Sequence, residues 1–112
     1  MQDGLAVITE RDFMVTVLEV AQLHGWLCSH AADTPDARKL LRGRHAQAVV
    51  DPGAPDLLLV RPPRVLLIEL KTAKGRLRES QRTWAEILDM CPGVEYYQFR
   101  PADWQQILDV LK

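Results

Sequence analysis

Asp56, Glu69 and Lys71 are the residues of this sequence whose types and spacing could do chemistry. They bracket a stretch whose interior, Leu57-Leu58-Leu59-Val60 and Val65-Leu66-Leu67-Ile68, is apolar on both faces around Pro62-Pro63. Such a stretch reads as two strands of a hairpin, and a greasy strand that ends in Glu-Leu-Lys puts charge where water is scarce. Unpaired buried charge is costly. With Pro62-Pro63 as a two-residue loop, Arg61 faces Arg64, and counting outward sets Asp56 opposite Glu69, Cβ atoms roughly 4.5–5.5 Å apart. Lys71 shares the face of Glu69, because side chains alternate along a strand. Two carboxylates that close repel unless a cation lies between them, which points to a metal site with an attendant lysine.

The donors are hard oxygens with no His or Cys beside them, suited to Mg2+, with Mn2+ as a substitute, rather than to zinc. Mg2+ takes few protein ligands and keeps waters, leaving room for a phosphate oxygen. Lys71 would hold or deprotonate an attacking water and offset charge in the transition state. The plainer alternative is an ordinary salt bridge between Glu69 and Lys71, with Asp56 as a turn residue after Pro55. The hairpin also has a competing register. Proline cannot supply the positive φ angles of a tight I′ turn, and a slip by one residue would turn Asp56 away from Glu69.

The elements that must position these residues follow from periodicity and punctuation. Thr9 and Asp12 form an N-cap pair, Glu10 suits the first turn of a helix, and Phe13, Met14, Val17, Ala21 and His24 make an apolar stripe ending at Gly25. A short strand is expected over Trp26 to Ser29. Residues 31 to 54 read as a long loop, with a helical turn around Ala37 to Leu41, and long loops in compact domains are usually functional or mobile. After the hairpin come a polar turn, Thr72 to Leu77, a helix over Glu79 to Asp89, a strand over Val94 to Phe99, and a helix opened by Pro101. A strand that follows a helical crossover should lie parallel to the second hairpin strand. The expected fold is α/β, in the order α-β-β-β-α-β-α, with a mixed sheet of about four strands flanked by helices. Two further polar residues fall on apolar stripes: Glu10 with Met14 and Val17, and Gln81 with Trp84 and Leu88. Inward polar groups must find partners. A capping role would suffice for either alone; beside the hairpin trio they suggest one five-residue site.

At 112 residues, 47% of them apolar, the chain is one domain with enough material for a core. It has no signal-like start and no apolar run near the roughly 20 residues of a membrane helix, so no membrane role is expected. Cys28 and Cys91 make no metal-type spacing and suit a reducing cytosol. The net charge of −1 conceals a division: residues 31 to 85 carry eleven Lys/Arg against six Asp/Glu, a balance of +5 around the hairpin. A phosphate backbone would be drawn there, although a merely solvated basic surface would look the same. The tryptophans read as core residues rather than base-stacking ones, and the histidines as structural or exposed.

Gly53-Ala54-Pro55-Asp56, then Ile68-Glu69-Leu70-Lys71, then Gly75-Arg76-Leu77 with Gln81 resemble the PD-(D/E)xK nuclease superfamily. Within it they resemble the virus-type replication–repair nuclease (VRR-NUC) family in its small stand-alone phage and bacterial form. The likeness spans almost the whole chain, from Thr9-Glu10 and Phe13, through Gly25-Trp26 and His30, to Arg100-Pro101 and Asp103-Trp104. Met14, where a polar residue is expected, and Ala54, where a larger apolar one is usual, depart from the pattern, but neither is a ligand.

The resemblance implies a single nuclease domain over residues 1–112 with a restriction-endonuclease-like core and metal-dependent hydrolysis of DNA phosphodiester bonds. Asp56, Glu69 and the Leu70 carbonyl would hold Mg2+, Lys71 would be the catalytic lysine, Gln81 would hold the lysine or the water, and Glu10 would be the helix-borne acid. Arg42, Arg44, Lys74, Arg76 and Arg78 would contact DNA phosphates. The stand-alone members further imply a cytoplasmic homodimer acting like a Holliday-junction resolvase on branched DNA. The alternatives are a nuclease-fold module that binds DNA or a partner protein without cutting, and an accessory to a replication protein.

Overall fold

The computed structural model describes residues 8–30 and 51–112; the expected helical turn around Ala37 to Leu41, together with Arg42 and Arg44, lies outside them. Helix α1 (Glu10–Leu23) is followed by β1 (Leu27–His30), β2 (Leu57–Arg61) and β3 (Arg64–Leu70). Then come α2 (Glu79–Asp89), β4 (Glu95–Phe99), a 3-10 turn over Pro101–Asp103 and α3 (Trp104–Leu111). Thr9 caps α1: its Oγ1 accepts from the Asp12 backbone N–H at 3.0 Å. Gly25, at φ +83°, turns the chain out of that helix into β1. The strand begins one residue later than expected. Pro101 opens the 3-10 turn that runs into α3 rather than the α-helix itself.

The four strands lie in the order β1-β2-β3-β4, antiparallel except for the β3–β4 pair. This is the mixed sheet expected from the sequence, with β4 parallel to β3. The competing register does not form: Arg61 pairs with Arg64 and Leu57 with Ile68. The Pro62-Pro63 peptide bond is cis, and no residue of the loop has positive φ.

The sheet has two unlike faces. Leu57, Leu59, Leu66 and Ile68 have no exposed surface and pack with Phe13 and Val17 of α1 and Ile107 of α3, each such side chain contributing about 1.5–3 kcal/mol when fully buried. The opposite face is less completely covered than the run of apolar residues suggested, and Leu58 on it is 36% exposed. Helix α2 packs there, near β4.

The loop end of the hairpin is anchored by arginines. Neither α1 nor α3 carries a basic residue in its last turn, and the hairpin supplies that charge. Arg61 donates to the His24 carbonyl at 2.8 Å and the Lys112 carbonyl at 3.2 Å, and Arg64 donates to Val110 O at 3.0 Å. Cations at helix C-termini are favourable. Both guanidinium groups lie over Trp26, at 4.4 and 5.1 Å from the ring centroid, and its indole N–H donates to Leu111 O at 2.8 Å.

Candidate active site

The opposite end of the hairpin gathers Asp56, Glu69 and Lys71. Asp56 stands just before β2, and extending the observed register by one pair sets it opposite Glu69. Its Oδ2 accepts from the backbone N–H of Leu70 at 2.8 Å, which fixes one carboxylate oxygen against the neighbouring strand. Glu69 is 2% exposed. Lys71, one residue past the end of β3, brings Nζ to 3.7 Å from Glu69 Oε2. Its backbone N–H extends the ladder to Phe99 O at 3.0 Å.

Gln81 closes the group from α2. Its Nε2 donates to Glu69 Oε2 at 2.9 Å, while its Oε1 accepts from the Arg78 backbone N–H at 2.9 Å. Both ends of the amide are thereby used, one as a helix-capping acceptor and the other as a donor to a buried carboxylate. The amide thus meets Glu69, whereas the resemblance implied that it would hold the lysine or the water. The inward position expected from its stripe is what the structure shows: Gln81 is 6% exposed.

Glu10 departs from its expected place. It is exposed, even though the helical period aligns it with Met14 and Val17 and both Ile8 and Phe13 pack on the core. Its charge still reaches the site as one of those acting on Glu69. Among the described residues no three acidic, His or Cys side chains converge on one point, so Glu10 stands apart from the Asp56–Glu69 pair. Lys74, Arg76 and Arg78 are all exposed on the segment between β3 and α2.

The electrostatics record the crowding of the two carboxylates. Burial, then the charge of Asp56, push the Glu69 carboxyl up to about 7, with Lys71 opposing them. Extending the register sets the two carboxyl groups opposite one another, an arrangement that a shared proton or a cation relieves. Two hard-oxygen donors set opposite one another suit a divalent ion that keeps several waters. Asp56 and Glu69 therefore fit such an ion.

Sequence reasoning missed three neighbours of the site. Tyr96 of β4 lies on the Glu69 face by the parallel register, and burial, with the charges of Glu69 and Asp56, pushes its hydroxyl up to about 12. Arg100 donates to the Thr72 carbonyl at 2.6 Å, holding the start of the basic turn. Trp84, read as a core residue, uses its indole N–H to hold Pro52 O at 3.0 Å. Strand parity could have found Tyr96 had the β4 register been known; the other two bonds join segments that no local spacing connects.

This architecture, a mixed sheet flanked by helices with an Asp-Glu-x-Lys group at a strand end, is restriction-endonuclease-like. The VRR-NUC domain model matches residues 9–100. The chain belongs to the VRR-NUC family, and so to a family of nucleases. Its fold is similar to that of a solved structure titled "VRR_NUC domain", with a TM-score of 0.63 and 17% sequence identity, covering 89% of this chain and 94% of that one. Comparison with curated proteins finds no match. No helix among the described residues is long and apolar enough to cross a membrane.

Proposed function

We propose that this chain is a Mg2+-dependent, structure-selective DNA endonuclease that hydrolyses phosphodiester bonds, acting as a cytoplasmic homodimer on branched DNA in the manner of a Holliday-junction resolvase. Residues 1–112 would form one nuclease domain. The observation that carries the reading is the strand register that sets Asp56 opposite buried Glu69, with Lys71 Nζ at 3.7 Å from Glu69 Oε2. Nuclease-family membership supports the reaction class and, more generally, a divalent cation.

Asp56, Glu69 and the Leu70 carbonyl would hold the ion, which when bound supplies charge neutralisation at the phosphate and an activated water. The remaining roles belong to the chain. Gln81 orients Glu69 through the bond at 2.9 Å. Lys71 presents Nζ on the same face, where it can meet the attacking water or the negative charge growing on the phosphate. Glu10 adds negative charge that acts on Glu69. The exposed Lys74, Arg76 and Arg78 would track the phosphate backbone with a salt-dependent affinity, joined by Arg42 and Arg44 from the sequence.

Four-way junction, flap and linear duplex DNA, each incubated with Mg2+ or with EDTA, test the proposal. Branched substrates should be cut in preference to linear duplex, and both EDTA and Lys71→Ala should abolish cutting. Cutting that needs no metal, or full activity of Lys71→Ala, would refute it. Metal binding with no turnover on any substrate would favour a binding module instead.

A further inference from the structure

Helix α2 touches the approach to both carboxylates. One tie is the Gln81–Glu69 bond. The other lies one turn further along the helix and at its first residues. Trp84 Nε1 donates to the Pro52 carbonyl at 3.0 Å. Beside it Gly53, at φ +94°, lies so close to α2 that an added Cβ would stand 2.7 Å from the Ser80 carbonyl carbon and 2.8 Å from its oxygen. Only Ala54 and Pro55 separate that contact from Asp56. Pro55 is buried and its ring fixes φ, so the link is short and stiff. The Leu70 N–H orients one oxygen of Asp56, but the path of the main chain leading into Asp56 is set where it rests on α2.

We infer that α2 acts as a splint that sets the separation of Asp56 and Glu69, and that Trp84 is a positioning residue through which the splint tunes affinity for the divalent cation. The inference rests on the proposed nuclease reading. Partners that hold metal-binding carboxylates in place tune an ion site without touching the ion, and their loss typically costs about 10–100-fold in affinity. Trp84 has the features of such a partner: a half-buried ring, one directed hydrogen bond, and a partner segment that leads directly to Asp56.

The experiment is calorimetric titration of the metal-free chain with Mn2+, alongside its melting temperature without metal. It compares wild type with Trp84→Phe, which keeps a ring but loses the N–H, with Gly53→Ala, and with Glu69→Gln. Trp84→Phe should bind Mn2+ roughly tenfold more weakly while its metal-free melting temperature stays within a few degrees of wild type. Gly53→Ala should weaken binding in the same direction. Wild-type Mn2+ affinity in folded Trp84→Phe overturns the inference and leaves the nuclease reading standing. Absence of Mn2+ binding by wild type, or undiminished binding by Glu69→Gln, overturns both.

Discussion

Replacing Gln81 separates what holds the site from what holds the helix. Gln81→Ala removes two bonds at once, the acceptor for the Arg78 N–H and the donor to Glu69. A helix-capping bond is worth about 1 kcal/mol, and a hydrogen bond to a buried charged group about 1.5–3 kcal/mol. The expected loss is therefore about 3 kcal/mol. For 112 residues the unfolding entropy is about 0.24 kcal/mol/K, so the melting temperature should fall by about 12 °C. Gln81→Glu keeps the capping acceptor but turns a carboxylate toward Glu69 Oε2. The folded chain holds the Glu69 proton up to about pH 7, against 4.5 for an ordinary glutamate. The unfolded chain releases it earlier, so metal-free stability falls as pH rises through that window. Gln81→Glu should therefore lose little at about pH 5, where a proton can bridge the carboxyl groups, and far more at about pH 8. Thermal melts followed by circular dichroism, without metal, measure both. Equal losses for Gln81→Glu at the two pH values, or a loss below about 1 kcal/mol for Gln81→Ala, would show that the amide does not hold Glu69.

Two other perturbations have clear signs. Arg64 hydrogen-bonds Glu95 at 2.7 and 2.8 Å and, as the largest influence, lowers the Glu95 carboxyl to about 2. Because the folded value lies below the ordinary 4.5, the pair's contribution is present above pH 4.5 and lost as pH falls toward 2. Acid titration of stability should show this loss in wild type and a smaller one in Glu95→Gln; both side chains are about a third exposed, so the effect should be modest. Gly53→Ala should cost about 1–2 kcal/mol for the left-handed backbone alone, and more for moving Ser80, whose backbone an added Cβ would approach to 2.7 Å. Urea denaturation should show the loss, and an unchanged midpoint would mean that the chain does not press on α2.

The sequence was legible where one face of an element is fully buried and its period is unambiguous. The stripe of α1 from Phe13 to Ala21 specifies a buried face, whereas the hairpin strands, apolar on both faces, left two registers open, and the pairing of Arg61 with Arg64 settles them. Period alone misled at element ends. Glu10 lies on the stripe of α1, yet it is exposed. Trp84 lies on the stripe of α2, yet an indole has a polar edge, and that edge found Pro52. Bonds of this kind join residues far apart in sequence, so no local spacing announces them. The arginines at the loop end are a partial exception: two helices without a basic residue in the last turn leave C-terminal carbonyls to be satisfied from elsewhere.

The two ends of the hairpin divide the work of holding the site. β2 is five residues long, about 17 Å at ordinary strand rise, so an error in pairing at the loop end is delivered undiminished to Asp56 and Glu69. At the loop end, Arg61 and Arg64 are a directly paired couple, each tied to a different set of helix carbonyls, and Arg64 is tied also to Glu95 of the neighbouring strand. Sliding β3 by one residue would detach Arg64 from both Val110 and Glu95. It would also reverse the face on which Glu69 and Lys71 stand, and would move the Leu70 N–H away from Asp56. Two carboxylates set opposite one another repel and favour any motion that parts them, and such a slip would part them. The arginine anchors oppose it from the far end of the strands, where no charge is needed for chemistry and every guanidinium bond can be spent on rigidity.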